Sequence, residues 1–490
     1  MQRDSAGSGD DRWGNSPDFK SAVAAALLPR PECWPLRSAL ARERAHSPLA
    51  LHLPAHRRGQ APAFWWPRLP WAWDLPELPA IGGPLLADGA VAESQALIAQ
   101  AQGVDFSWYG VNGASGLLQA CLLAAAQRPG QLLLPRNLHR SLLHGCALAG
   151  VTPALYSPPI DPLTGLWQPL PPEQLERLLR QAGPVSLLVL VSPTYQGLAS
   201  DLPELVAIAH RYGAAVLVDE AHGGHFGFDS SLPVCALAAG ADLVVHSVHK
   251  SLGGLGQSAA LHSQGAAFAP AALEQALGWL QTSSPSAVLM LSAEQAYRHH
   301  CSAKGGRQLR ARLQQARVVR EQLMAAGIPL LMNDDPLRLL LHTGAWGCSG
   351  AEADAWLLER GVIAECPELL SLTFCLGLGP SRGLGRQLRQ ALHQLRQAKG
   401  APALPPVQPP PFPLISRLAL SPQQAWAQPS QAMPLGQASG RIASELLCPY
   451  PPGIPVVLPG ERLEPERLEW LQHQQRLWAG KIPDTVRVLV

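Results

Sequence analysis

Two short apolar runs near the middle of the chain end in polar chemistry. Residues 215–218 lead into Asp219-Glu220-Ala221-His222, and residues 243–245 lead into His246-Ser247-Val248-His249-Lys250, with glycines following at 253, 254 and 256. A lysine amine can hold an aldehyde as a Schiff base. A carboxylate against a pyridine nitrogen keeps that ring protonated and able to accept electrons from a carbanion. Lys250 suits the first task and Asp219 the second, so the pair points to a pyridoxal phosphate site. Either residue alone reads as an ordinary surface lysine or sheet-end aspartate; the intact S-x-H-K followed by glycines is what separates this pair from that reading.

Such a pair must be positioned by a sheet. Both runs are aliphatic and alternate with helical segments instead of hairpin turns, which predicts buried parallel strands. Ligands of open α/β sheets collect at the carboxyl ends of the strands, so both polar sets should face one crevice. Upstream, Asn112-Gly113-Ala114-Ser115-Gly116 opens an apolar helix. A small-residue turn there exposes backbone N–H groups at the positive end of the helix dipole, where a phosphate binds. Such turns also merely cap helices; the order of this one, before Asp219 and Lys250, is what makes it a phosphate cradle. Residues 132–134 read as a strand ending in Arg136-Asn137-Leu138-His139-Arg140-Ser141, and residues 185–191 as a buried strand ending in Ser192-Pro193-Thr194-Tyr195. The alternation of strand and helix predicts a doubly wound large domain.

These motifs resemble the cofactor segments of the fold type I ornithine/lysine/arginine decarboxylases, in their shorter bacterial form. The Asp219–Gly223 and Ser247–Gly254 stretches carry the resemblance, joined by Arg136–Ser141 (the family's R-N-x-H-K-S), Pro193–Gly197 (P-T-Y-x-G) and Gln281–Ser286 (T-T-S-P-S). Residues 51–59 are similar to F-H-x-P-G-H-K-x-G, with Leu51, Ala55 and Arg57 departing from it. Residues 449–461 are similar to the C-terminal Y-P-P-G-I-P-x-x-x-P-G-E, which few aminotransferases carry. Ala114-Ser115 stands where the family has Ser-Thr.

The resemblance implies an α/β, aspartate aminotransferase-like large domain with a mostly parallel sheet, plus small α+β domains. It implies pyridoxal phosphate as cofactor and decarboxylation of a basic L-amino acid, lysine or arginine before ornithine. Lys250, Asp219, His139 and His249 are its catalytic set, with His139 stacked on the ring and Lys250 or His249 returning a proton to the α-carbon. Ala114, Ser115, Gly116, Thr194, Ala221, His222, Ser247 and Thr282 complete cofactor binding. Thr282 would reach the partner's cofactor in a homodimer with shared sites. Glu77, Glu365 and Glu461 are candidate carboxylates for the cationic end of the substrate. Another fold type I activity, or a catalytically silent binding protein, would use the same fold.

Composition agrees with an enzyme of this kind. A chain of 490 residues, 47% hydrophobic, buries more than one core. A net charge of +2 without a basic block argues against nucleic acid or an anionic membrane as partner. No apolar run approaches spanning length and no leader pattern opens the chain, so a cytoplasmic location is expected. The early position of the residue 51–59 segment leaves no room for an N-terminal wing domain. The nine cysteines show no metal-like spacing. Expected divisions are an N-terminal extension with helices (1–47), a cofactor-binding domain (48–300), a small α+β domain (301–398), a proline-rich linker (399–418) and a C-terminal domain (419–490). Within these, a long helix is expected over 295–326 and a short strand over 362–365.

Overall fold

The computed structural model describes residues 34–46, 71–379, 382–448, 455–477 and 482–490. The segments 1–18, 22–28 and 51–59, and positions 449–454 of the proline-rich C-terminal motif, lie outside the described residues.

Seven strands lead the chain: β1 (Phe106–Gly110), β2 (Gln131–Pro135), β3 (Ala154–Tyr156), β4 (Val185–Val191), β5 (Ala215–Asp219), β6 (Leu243–His246) and β7 (Ala259–Ser263). Four short ones follow, β8 (Leu330–Leu331), β9 (Arg338–Leu341), β10 (Cys366–Pro367) and β11 (Leu372–Cys375), and then β12 (Ile415–Arg417), β13 (Ser430–Pro434) and β14 (Thr485–Leu489). The main sheet has the order β1-β7-β6-β5-β4-β2-β3-β12. Its centre, from β3 to β6, is parallel, while β7, β1 and β12 join antiparallel. The second sheet runs β10-β11-β9-β8, and β13 pairs with β14.

The central strands are buried throughout because helices cover both faces, which is why they read as continuous aliphatic runs. One face packs Leu217, Val245 and Leu187 against the helix Gly113–Ala125; the other packs Val216, Val218 and Leu188 against Pro172–Ala182 and Leu202–Arg211. The register pairs Asp219 with Val245 on one side and Val191 on the other, so the polar ends of β4, β5 and β6 finish at one level.

Beneath those ends lies a buried polar ladder. Glu220 accepts from Ala236 N at 2.8 Å and meets His246 Nε2 at 2.8 Å; His246 Nδ1 meets the Tyr297 hydroxyl at 3.0 Å; that hydroxyl also meets His262 Nε2 at 3.0 Å. Burying these groups would be costly without partners, and satisfying them ties β5, β6 and β7 to the helix Ala287–Cys301.

Two local expectations are corrected. Residues 295–326 form two helices, Ala287–Cys301 and Ala303–Ala325, because Ser302 leaves helical geometry at ψ 150° and caps the second by accepting from Gly305 N at 3.0 Å. Residues 362–365 are not a strand. Pairing begins one residue later, at Cys366, where Glu365 N donates to Thr373 O at 2.9 Å. The proline-rich segment also holds more structure than a spacer: Ala401 and Leu404 N–H groups bond to Trp346 and Gly344 carbonyls, and residues 415–417 become β12.

Leu217 is fully buried at the middle of β5. Leu217→Ala is expected to lower unfolding free energy by ~3 kcal/mol through the cavity it leaves, measured by denaturant titration.

Candidate active site

The carboxyl ends of β4, β5 and β6, the turn before the helix Gly113–Ala125, and the loop after β2 surround one cavity of about 540 Å³. That volume suits a small molecule or cofactor. Among the expected residues, Ala114, Ser115, His139, Thr194, Asp219, Ala221, His222, Ser247, His249 and Lys250 line it. Gly116 sits in the same first helical turn as Ala114 and Ser115, without a lining position.

Burial sets the charge states. Asp219 is buried, and loss of water raises its carboxyl above the usual range, partly offset by Lys250 and by the Ala221 N–H that its Oδ1 accepts at 3.2 Å. Desolvation pulls the Lys250 amine below the ordinary lysine value, opposed chiefly by Asp219 and Glu365. His222 Nε2 lies 3.2 Å from Lys250 Nζ, and the Tyr195 ring lies 4.2 Å from the His222 ring. His139 caps the helix Arg140–Ala149, its Nδ1 accepting from Ser141 N at 3.3 Å; burial and nearby Lys250 push it down to about 4, so the ring is neutral at physiological pH.

The turn before the helix Gly113–Ala125 has Gly113 at φ +70°, a conformation that glycine adopts freely. Gly113 N donates to Gln257 O at 2.9 Å, which joins this turn to the loop after Lys250. Asn112, at the N-cap, makes no side-chain capping bond, so the first-turn N–H groups face the cavity without that competitor. His249 Nδ1 donates to Ser258 O at 3.2 Å, leaving Nε2 as the nitrogen free to exchange a proton.

The three candidate substrate acids separate. Glu461 is buried, paired with Arg136, with Arg467 Nη1 at 2.8 Å from its Oε2, and accepting from Leu458 N at 3.0 Å. Its place is therefore a structural knot between the loop after β2 and the C-terminal region, away from the lining of the cavity. Glu77 is exposed and does not line the cavity. Glu365 is exposed, accepts a hydrogen bond from the Tyr195 hydroxyl, and is among the charges that Lys250 feels. Thr282 is exposed, bonded to Ser284, and outside the cavity.

Several lining residues carry no motif that sequence alone would flag. Glu368 is buried, accepts from Gln196 Nε2 at 2.7 Å and Ser371 Oγ at 2.9 Å, and is pushed up to about 8 by burial. Gln257 holds φ 75°, unusual for a residue with a side chain. Trp167 and Cys366 also line the cavity. Among the described residues there is no cluster of three or more potential metal ligands, and no helix long and apolar enough to cross a membrane.

Two substitutions check these assignments. Glu461→Gln leaves buried arginines without their counter-charge, so unfolding free energy should drop by ~3 kcal/mol while the Michaelis constant is unchanged. Glu368 holds its proton to higher pH folded than unfolded, so the stability it contributes is lost as pH rises from about 4.5 to about 8. Glu368→Gln should therefore gain on the native protein in thermal melts as pH rises through that window, and the gain should vanish near pH 5.

Residues 35–333 match the Orn/Lys/Arg decarboxylase major domain and residues 412–483 the C-terminal domain of the same family. An arginine decarboxylase of Bacillus anthracis is 30% identical over 460 residues, covering 89% of this chain and 92% of that one. An arginine decarboxylase of Halalkalibacterium halodurans is 30% identical over 483 residues, covering 94% and 98%. The structure of lysine decarboxylase A from Pseudomonas aeruginosa superposes with a TM-score of 0.79 at 19% identity, covering 98% of this chain and 84% of that chain, and so shares the fold. With the major-domain match alone spanning more than half of its length, the chain belongs to the Orn/Lys/Arg decarboxylase family.

Proposed function

We propose that the protein removes the α-carboxyl group of L-arginine as carbon dioxide, leaving the corresponding amine, with pyridoxal phosphate as cofactor. The observation that carries this reading is the convergence of a desolvated amine, a buried carboxyl, a neutral imidazole and a helix N-terminus on one cavity. The choice of arginine over lysine is supported by four relatives at 29–31% identity named arginine decarboxylases, whereas a lysine decarboxylase of Pseudomonas aeruginosa is 22% identical.

The donor set fits the cofactor. Lys250 offers a low-basicity amine for the aldehyde, Asp219 a carboxyl for the ring nitrogen, and His139 a neutral ring for one face. The N–H groups of Ala114, Ser115 and Gly116, with the Ser247 hydroxyl, offer the phosphate donors at the positive end of a helix. When bound, pyridoxal phosphate supplies an electron sink conjugated to the substrate α-carbon.

The protein's own residues do the rest. Asp219, held in a dry site, makes its charge on the ring nitrogen stronger than it would be in water. Thr194, Ala221 and His222 wall the cavity on the β4 and β5 side. His249, through Nε2, or Lys250, through Nζ, delivers the proton that replaces the lost carboxyl group. Glu365, beside Tyr195 at the exposed rim, is the acid best placed for the cationic end of the substrate.

The same reading includes a homodimer. Thr282 lies outside its own cavity on an exposed segment and follows Trp279, which is 64% exposed. This is the disposition required of a residue that serves a second subunit.

Incubation with arginine, lysine and ornithine separately, with released carbon dioxide measured, tests the assignment. Arginine should be turned over at least tenfold faster than the others. Lys250→Ala should abolish turnover and the visible absorbance of the bound cofactor. Cofactor binding without release from any of the three would overturn the decarboxylase reading.

A further inference from the structure

His222 has both ring nitrogens engaged. Nε2 faces Lys250 Nζ at 3.2 Å, and Nδ1 faces Arg338 Nη2 at 3.3 Å. Arg338 is the first residue of β9 in the second sheet, buried at 5% exposure, and belongs to a segment clamped onto the main domain. Asp334 and Asp335 N–H groups donate to Gly197 O at 2.9 and 3.0 Å, and Asn333 Nδ2 donates to Gln196 O at 2.6 Å. The Arg338 carbonyl accepts from Arg320 and Asn333, which fixes the backbone that carries the guanidinium.

A guanidinium only donates. The Nδ1 atom that Arg338 Nη2 addresses must therefore present a lone pair, and a neutral imidazole with a lone pair on Nδ1 carries its proton on Nε2. That proton points at Lys250 Nζ. An ammonium also only donates, so the contact is a hydrogen bond only when the amine is uncharged and accepts. We propose that Arg338 is a positioning residue: it sets the tautomer of His222, and His222 in turn holds Lys250 as the free amine, the form able to attack an aldehyde.

The surrounding charges agree with this arrangement. His222 is held neutral by burial first, and Arg338, a cation at every working pH, opposes a further positive charge beside it. Lys250 is drawn down by burial and by Arg338, while Asp219, Glu365 and Cys375 act the other way. The Tyr195 ring lies against His222 and 5.8 Å from the Lys250 amine, closing the remaining side. This role rests on the reading of Lys250 as the amine that takes the cofactor aldehyde; it belongs to the amine before the cofactor is joined to it, and it is the same whichever basic amino acid is decarboxylated.

The test uses full-length protein stripped of cofactor. Lys250 is labelled with a trace of acetic anhydride across a pH series, and its peptide is quantified by mass spectrometry, which gives the titration midpoint of the amine without any turnover. The native midpoint should lie below the ordinary ~10.4 of lysine. Arg338→Met should raise it by about one unit, which is about a tenfold loss of free amine at a fixed lower pH. Arg338→Lys, which keeps a donor-only cation, should restore most of the native midpoint. Arg338→Gln can donate or accept, no longer dictates the tautomer, and should shift the midpoint upward as well; it serves if the Met variant does not fold. In a His222→Phe background the Arg338→Met shift should shrink to less than half. An unchanged midpoint in Arg338→Met and Arg338→Gln, or an equal shift with and without His222, would overturn the proposal.

Discussion

An aspartate carboxyl, buried, and a lysine amine, partly shielded on a side chain that is itself exposed, stand together at the tips of adjacent parallel strands and face one cavity. Each is disfavoured as an ion by that burial, and each is the largest charge relieving the other. Much of the surrounding structure maintains this condition. The register of β5 against β4 and β6 brings the tips level, and the Glu220–His246–Tyr297 ladder fixes them from below. His139 and Tyr195 stand around the cavity as uncharged rings, so the dry environment is kept without adding ions to it.

The small sheet is part of the site as well as the large one. The loop after β4 and the segment before β9 are joined through the Gly197 carbonyl, and Gly197 adopts φ +85° where a side chain would meet Asp335 and Arg338. Glycine is required there twice over, by conformation and by contact. Cys366 and Glu368, on and just after β10, line the same cavity from the small-sheet side. The cavity is thus lined chiefly from the main sheet and completed by residues of the small one.

How much of this was legible in the sequence follows from where each signal resides. Strands β4, β5 and β6 announce themselves because burial on both faces forces unbroken aliphatic runs, and their polar ends inherit a position from topology alone. The turn at 112–116 and His139 are likewise local patterns. Arg338 and Glu368 carry no such pattern; Arg338 reaches the cavity-lining His222, and Glu368 reaches the cavity beside Gln196, through contacts more than a hundred positions apart in the chain. The pairing of Glu461 is hidden for the same reason, since its partner Arg136 is 325 positions distant and a lone glutamate after a proline-rich stretch gives no hint of it. The break at Ser302 is only weakly marked: Arg, Gln and Ala favour helix on both sides, and its signals are Ser302 as a cap and Gly305-Gly306 in the first turn of the second helix.

The placement of β12 along β3 has a further consequence. A main sheet ending at β3 would leave a row of unpaired peptide groups open to any extended chain, including another copy of the same protein. By laying residues 415–417 antiparallel on that border, the segment leading to the C-terminal region acts as a built-in selvage: it moves the open row from β3 onto a strand of three residues, a short template for strand-to-strand growth between molecules.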